Sequence, residues 1–147
     1  LIFLISLMIV DETDNVDYFI YKFNISKKNQ KRLIFLKNFY SKKNTNKTFT
    51  EKNLNKIFYF NGREAIMDVI YFKIFKSKNV DNDLIKFIDN FENKKIPIMP
   101  IKAEMLMKKY NILEGKEMGI KLKAIEEFWS NNNFLISDQE VRKIIND

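Results

Sequence analysis

The sequence predicts an all-α protein of about seven or eight short helices in two helical subdomains, residues 1–94 and 95–147. Three observations carry this. Apolar residues recur at helical spacing along nearly the whole chain, with no sustained strand-like alternation. Only three glycines and two prolines occur among 147 residues, too few for the tight hairpins of an all-β fold. Both prolines fall in one stretch, Lys94 to Pro100 (KKIPIMP), where they forbid a continuing helix and favour extended backbone. The boundary between the subdomains is placed there.

The elements follow in order. Residues 1–10, LIFLISLMIV, are too short to span a bilayer, which needs about 20 apolar residues. They lack the basic flank of a signal peptide, and Asp11, Glu12, Asp14 and Asp17 follow instead. The segment therefore reads as a buried helix. The chain opens on Leu1, not Met, and its abrupt apolar start suggests that sequence upstream has been lost. In 15–24, Val16, Phe19, Ile20 and Phe23 recur at helical spacing. Ser26 offers an N-cap to a helix over 27–40, with Leu33, Leu36 and Tyr40 on one side. Residues 41–48 are a polar connector. Thr50 caps a helix beginning at Glu51, whose carboxylate suits the positive end of the helix dipole. Asn61-Gly62 ends that helix, since both residues tolerate positive φ, and 63–76 starts again. Asp81 caps a helix over about 82–93, with Leu84, Ile85, Phe87, Ile88 and Phe91 as its apolar set. Beyond the prolines come helices 102–110, 115–131 and 138–146, with a turn at Asn111. The last carries a capping box, Ser137 with Glu140 three residues on.

Composition narrows the chemistry. The chain has neither Cys nor His, so disulfide frameworks, zinc sites and Ser-His or Cys-His nucleophile systems are excluded for want of their ligands and bases. No Gly-rich phosphate loop, Walker pattern or nucleophile elbow is present. Asp81 and Asp83 form a D-x-D, which holds a metal when it faces phosphates, but here it precedes a helix and reads as a cap. Glu126 and Glu127 read as a solvated pair. The chain carries no active site of its own, and no cofactor is expected in it.

The net charge is +7, from 26 basic and 19 acidic residues, and a basic balance points to an anionic partner. All but three of the cations are lysines, the exceptions being Arg32, Arg63 and Arg142. Between Lys27 and Lys56 ten basic residues face one acid, Glu51; Lys27, Lys28 and Arg32 begin this stripe. It reads either as a phosphate-neutralising surface or as a solvated lysine-rich face. The sharpest local feature is Asn111-Ile-Leu-Glu-Gly115-Lys-Glu-Met-Gly119, which holds two of the three glycines. Gly115 would let a helix N-terminus approach a phosphate, with Lys116 beside it and Lys108, Lys109, Lys121 and Lys123 nearby. Gly119 would make room for the preceding helix. The turn followed by G-x-x-x-G is also similar to a helix-hairpin-helix DNA-binding element.

Ile96-Pro97 or Met99-Pro100, then Ile112, Gly115-Lys-Glu-Met-Gly119, Leu122, Glu126, Glu127 and Trp129, with Phe134 and Ser137-Asp-Gln-Glu140 beyond, resemble the C-terminal end of the bacterial-type (class II) CCA-adding tRNA nucleotidyltransferases and their poly(A) polymerase relatives. Upstream, Phe60-Asn-Gly62-Arg-Glu-Ala65, Ser26-Lys-Lys and Arg32-Leu33 are similar to the body region of that family. The resemblance covers residues 25–147. It implies an all-α body-and-tail fragment that holds tRNA or another RNA by its backbone, in the cytoplasm and away from any membrane. Nucleotide addition would belong to a head, on a separate catalytic chain or lost upstream, that brings Mg²⁺, CTP and ATP; this chain alone is expected to be inactive. On this reading Lys102, Lys108, Lys109, Lys116 and Lys121, with Gly115, form a phosphate-facing patch. Two alternatives stand beside it: a degenerate remnant of that enzyme, and an unrelated helical nucleic-acid-binding module of the helix-hairpin-helix kind.

Overall fold

The computed structural model describes residues 2–11, 13–41, 49–77 and 82–146. Among these residues the chain is all-α. It forms eight helices: α1 Ile2–Ile9, α2 Asn15–Lys22, α3 Lys27–Tyr40, α4 Glu51–Lys76, α5 Asn82–Asn93, α6 Ala103–Tyr110, α7 Lys116–Asn131 and α8 Asp138–Asn146. The chain divides into two compact units, Leu1–Ile96 and Pro97–Asp147. No helix among the described residues is long and apolar enough to cross a membrane.

Local chemistry sets the helix ends. Ser26 Oγ accepts from the Asn29 amide at the start of α3, and Thr50 Oγ1 accepts from the Asn53 amide at the start of α4. Each satisfies one of the donors that a helix N-terminus leaves unpaired. The capping box of α8 closes reciprocally: the Ser137 amide donates to Glu140 Oε2 at 2.7 Å, and the Glu140 amide donates back to Ser137 Oγ at 3.3 Å. Asn111 takes the left-handed conformation at φ 55°, and its amide closes α6 on the Leu106 carbonyl. The cap proposed at Asp81 and most of the connector 41–48 lie outside the described residues.

The first unit is built around α4. Its core contains Leu33, Leu36 and Phe39 from α3, Leu54, Phe58, Ile66, Val69, Ile70 and Phe72 from α4, and Phe91 from α5. Tyr40 is half-buried. Its hydroxyl donates to the Val69 carbonyl at 2.6 Å, and burial pushes its pKa up. The helical geometry expected to end at Asn61-Gly62 does break there. Gly62 takes a non-helical φ of 80° and ψ of 177°, so α4 is two helical segments meeting at a kink. That region is open essentially to glycine alone. The sequence signal was a real backbone break, after which a second helical segment starts at once. Arg63 holds the far side of the kink, donating to the Lys94 carbonyl just beyond α5 at 2.9 Å. Helix α1 is buried on one side only: Ser6 is enclosed, while Leu4 and Met8, one turn apart, stand 61% and 83% exposed.

The second unit packs Leu106, Met118, Ile125 and Val141, contributed by α6, α7 and α8. Trp129 is buried as well and meets Phe134 edge to face, with ring centroids 4.9 Å apart. Asn133 and Phe134 both take positive φ, and the Phe134 amide returns to the Trp129 carbonyl at 2.9 Å. The turn thus reverses the chain and seats the ring.

Candidate functional site

In the second unit, Pro100, Lys102, Glu104, Met105, Lys108 and Lys109 line a cleft of about 440 Å³. The local sequence explains its make-up. The irregular stretch after α5, bent at Pro100, leads to Lys102, the N-cap of α6, which is extended at φ −115° and ψ 159°. Leu106 turns inward and is fully buried, which leaves Met105, Lys108 and Lys109 outside. Lys108 and Lys109 occupy the last turn, where cations suit the negative end of the dipole. Three of the lysines expected in a phosphate-facing patch therefore share one concavity.

They do not share one electrostatic state. Lys109 is paired with Asp138 at the start of α8. Asp138 also accepts from the Tyr110 hydroxyl at 2.6 Å and from Arg142 at 3.4 Å. Hydrogen bonds from Lys109 and then Tyr110 pull the Asp138 carboxyl down to about 2, and the same bond pushes Lys109 up. Lys109 thus joins α6 to α8 and offers an incoming anion little free charge. Lys102 and Lys108 are exposed and form no ion pair among the described residues.

Gly115 is the N-cap of α7, at φ 150° and ψ −164°, with no side-chain cap hydrogen bond. A Cβ there would meet nothing within 4 Å; the backbone conformation, not crowding, calls for glycine. Lys116 beside it is exposed, and Lys121 one turn on is half-buried. The role expected for Gly119 needs correction. A Cβ at this position also meets nothing within 4 Å, so it makes no room for a neighbouring helix.

The basic stretch 27–56 looks different once its partners are placed. Lys28 pairs with Glu64 at 2.7 Å, Lys37 pairs with Asp17, and Arg32 grips Asp68 with two bonds, Nε to Oδ2 at 2.7 Å and Nη2 to Oδ1 at 2.6 Å. Asp68 is only 5% exposed. The expectation that Lys28 and Arg32 take part in holding RNA is therefore corrected for Arg32, whose fork is spent on a buried carboxylate across the α3–α4 interface. Lys28 is tied to α4 at the surface, and Lys27 is exposed. Lys42, Lys43 and Lys47 lie outside the described residues.

Sequence reasoning missed the four carboxylates that neutralise these cations, among them Asp17, 20 residues from Lys37. Glu64 and Asp68 lie 36 residues from their partners, and Asp138 lies 29 from Lys109, so no local pattern marks them. Of the D-x-D, Asp81 lies outside the described residues and Asp83 pairs with Lys86 at 2.9 Å. No cluster of three or more carboxylates able to hold a metal occurs among the described residues. No family model matches the chain, and neither do the curated proteins or the solved structures.

Proposed function

We propose that this chain holds RNA by its phosphate backbone through the lysine face of residues 97–147. It would serve as the body and tail of a CCA-adding tRNA nucleotidyltransferase or poly(A) polymerase-like protein. The carrying observation is the convergence of Lys102 and Lys108 on one cleft with no carboxylate paired to either. Lys116 and the uncapped amides after Gly115 on α7 support it. Lysines act here as mobile point charges, suited to gripping a backbone rather than reading bases. Nucleotide addition, with Mg²⁺, CTP and ATP, belongs on this reading to a head domain on a partner chain or upstream, and a cytoplasmic location goes with such a substrate.

The direct test is a titration of the chain against tRNA and against a DNA duplex of similar charge, at two salt concentrations. A tRNA preference is expected. Replacing Lys108, Lys109 and Lys116 with Ala should weaken tRNA binding and flatten its salt dependence by roughly two in log-log slope, since Lys109 is already committed to Asp138. Unchanged affinity overturns the reading. The αL turn at Asn111 between α6 and α7 favours one competitor, a helix-hairpin-helix-like module, which would prefer the duplex. Equal, weak and steeply salt-sensitive binding to both would leave a remnant with a basic surface.

A further inference from the structure

We propose that a second cleft, in the first unit between α3 and the kink of α4, binds one unpaired nucleotide of a nucleic-acid strand, with its base on Phe60 and its phosphate on Lys31. The cleft measures about 450 Å³, within the range of small-ligand sites. It owes nothing to the lysine face of residues 97–147.

The argument begins with charge. Three cations line the cleft: Lys28, Lys31 and Arg32. Lys28 is neutralised by Glu64 at 2.7 Å, and Arg32 is held bidentate by Asp68. Lys31 alone of the three has no ion-pair partner among the described residues, and it is exposed. One uncompensated cation matches the single charge of a phosphodiester, not the several charges of a free nucleoside triphosphate.

The aromatic content comes next. Phe60 lines the cleft and stands 55% exposed, packed by Tyr59 with ring centroids 4.7 Å apart and an interplanar angle of 74°. Phe35 lines the cleft from α3. An exposed aromatic ring beside a cation is the usual platform for an unstacked base. Asn61, also in the lining, supplies an amide with two donors and an acceptor for a base edge. The Gly62 kink lies immediately after this pair, so the backbone departs from helical geometry at the point where the site is built.

The probe is a short oligouridylate, measured by anisotropy against the full chain, with an abasic strand of equal length and charge as control. The intact base should bind more tightly than the abasic strand. Phe60→Ala should weaken oligouridylate binding roughly five- to fiftyfold, and Phe60→Trp should restore it. Lys31→Ala should weaken both strands and reduce the salt slope by about one. Equal binding of the two strands, no detectable oligouridylate binding, or an unchanged Phe60→Ala affinity overturns the proposal. The preference for the intact base should persist in the chain lacking Lys108, Lys109 and Lys116. Loss of tRNA binding in that variant bears on the backbone-holding face, and loss of base preference in the Phe60 variants bears on this cleft.

Discussion

Asp68 shows how much can rest on one side chain. Its carboxylate is nearly sealed from water, with a side chain 8% exposed, while its partner Arg32 keeps 28%. Arg32→Met would leave that carboxylate buried and unpaired. It should cost about 3 kcal/mol in urea unfolding, because removing one partner of a buried pair strands the other. Pairing it with Asp68→Leu should recover much of the loss, since an apolar pair of similar volume asks for no compensation. Gly62 makes a different demand. An alanine would find open space but the wrong backbone, so Gly62→Ala should cost about 1–3 kcal/mol from strain alone. The Ser26, Thr50 and Ser137 caps were legible in the sequence because donor and acceptor lie three residues apart. The Arg32–Asp68 pair was not, because it closes across a fold.

At the scale of elements, the joint between α6 and α8 is the acid-sensitive part of the second unit. Lys109, Tyr110 and Arg142 all converge on Asp138. The folded chain holds this carboxyl at about 2, below its ordinary value of 3.8. A depressed carboxylate stabilises the fold fully above its unfolded pKa and loses that contribution as pH falls through the folded one. Glu140, in the capping box of the same helix, is also lowered, chiefly by the Ser137 amide. The second unit should therefore weaken between about pH 4 and pH 2. Asp138→Asn should flatten that acid limb, as followed by the fluorescence of Trp129, the single tryptophan. The helices themselves were largely readable from apolar spacing. The break at Gly62 was readable as well; the exception is α1, whose apolar run is covered on one side only.

For the molecule as a whole, net charge is a poor guide to the free charge available for binding. Much of the basic excess in 27–40 is cancelled by carboxylates distant in sequence, which is why that stripe could not be weighed from composition. The cleft of residues 100–109 was legible because its lysines share one short helix and its edge. The cleft beside Phe60 was not, since it needs α3 and α4 brought together. If Lys102, Lys108, Lys116 and Lys121 each meet one phosphate, the plot of log affinity against log salt should slope by about −3 to −4. A much steeper slope would mean that cations beyond this face take part. The three arginines have a consequence of another kind. Arg32 forks onto Asp68, Arg63 reaches the Lys94 carbonyl, and Arg142 binds Asp138 while lying 5.7 Å from the Tyr110 ring centre. In a chain so given to lysine, each arginine stands where a planar, branched donor meets an acceptor, and lysine in place of Arg32 could not reproduce its two-pronged grip on Asp68.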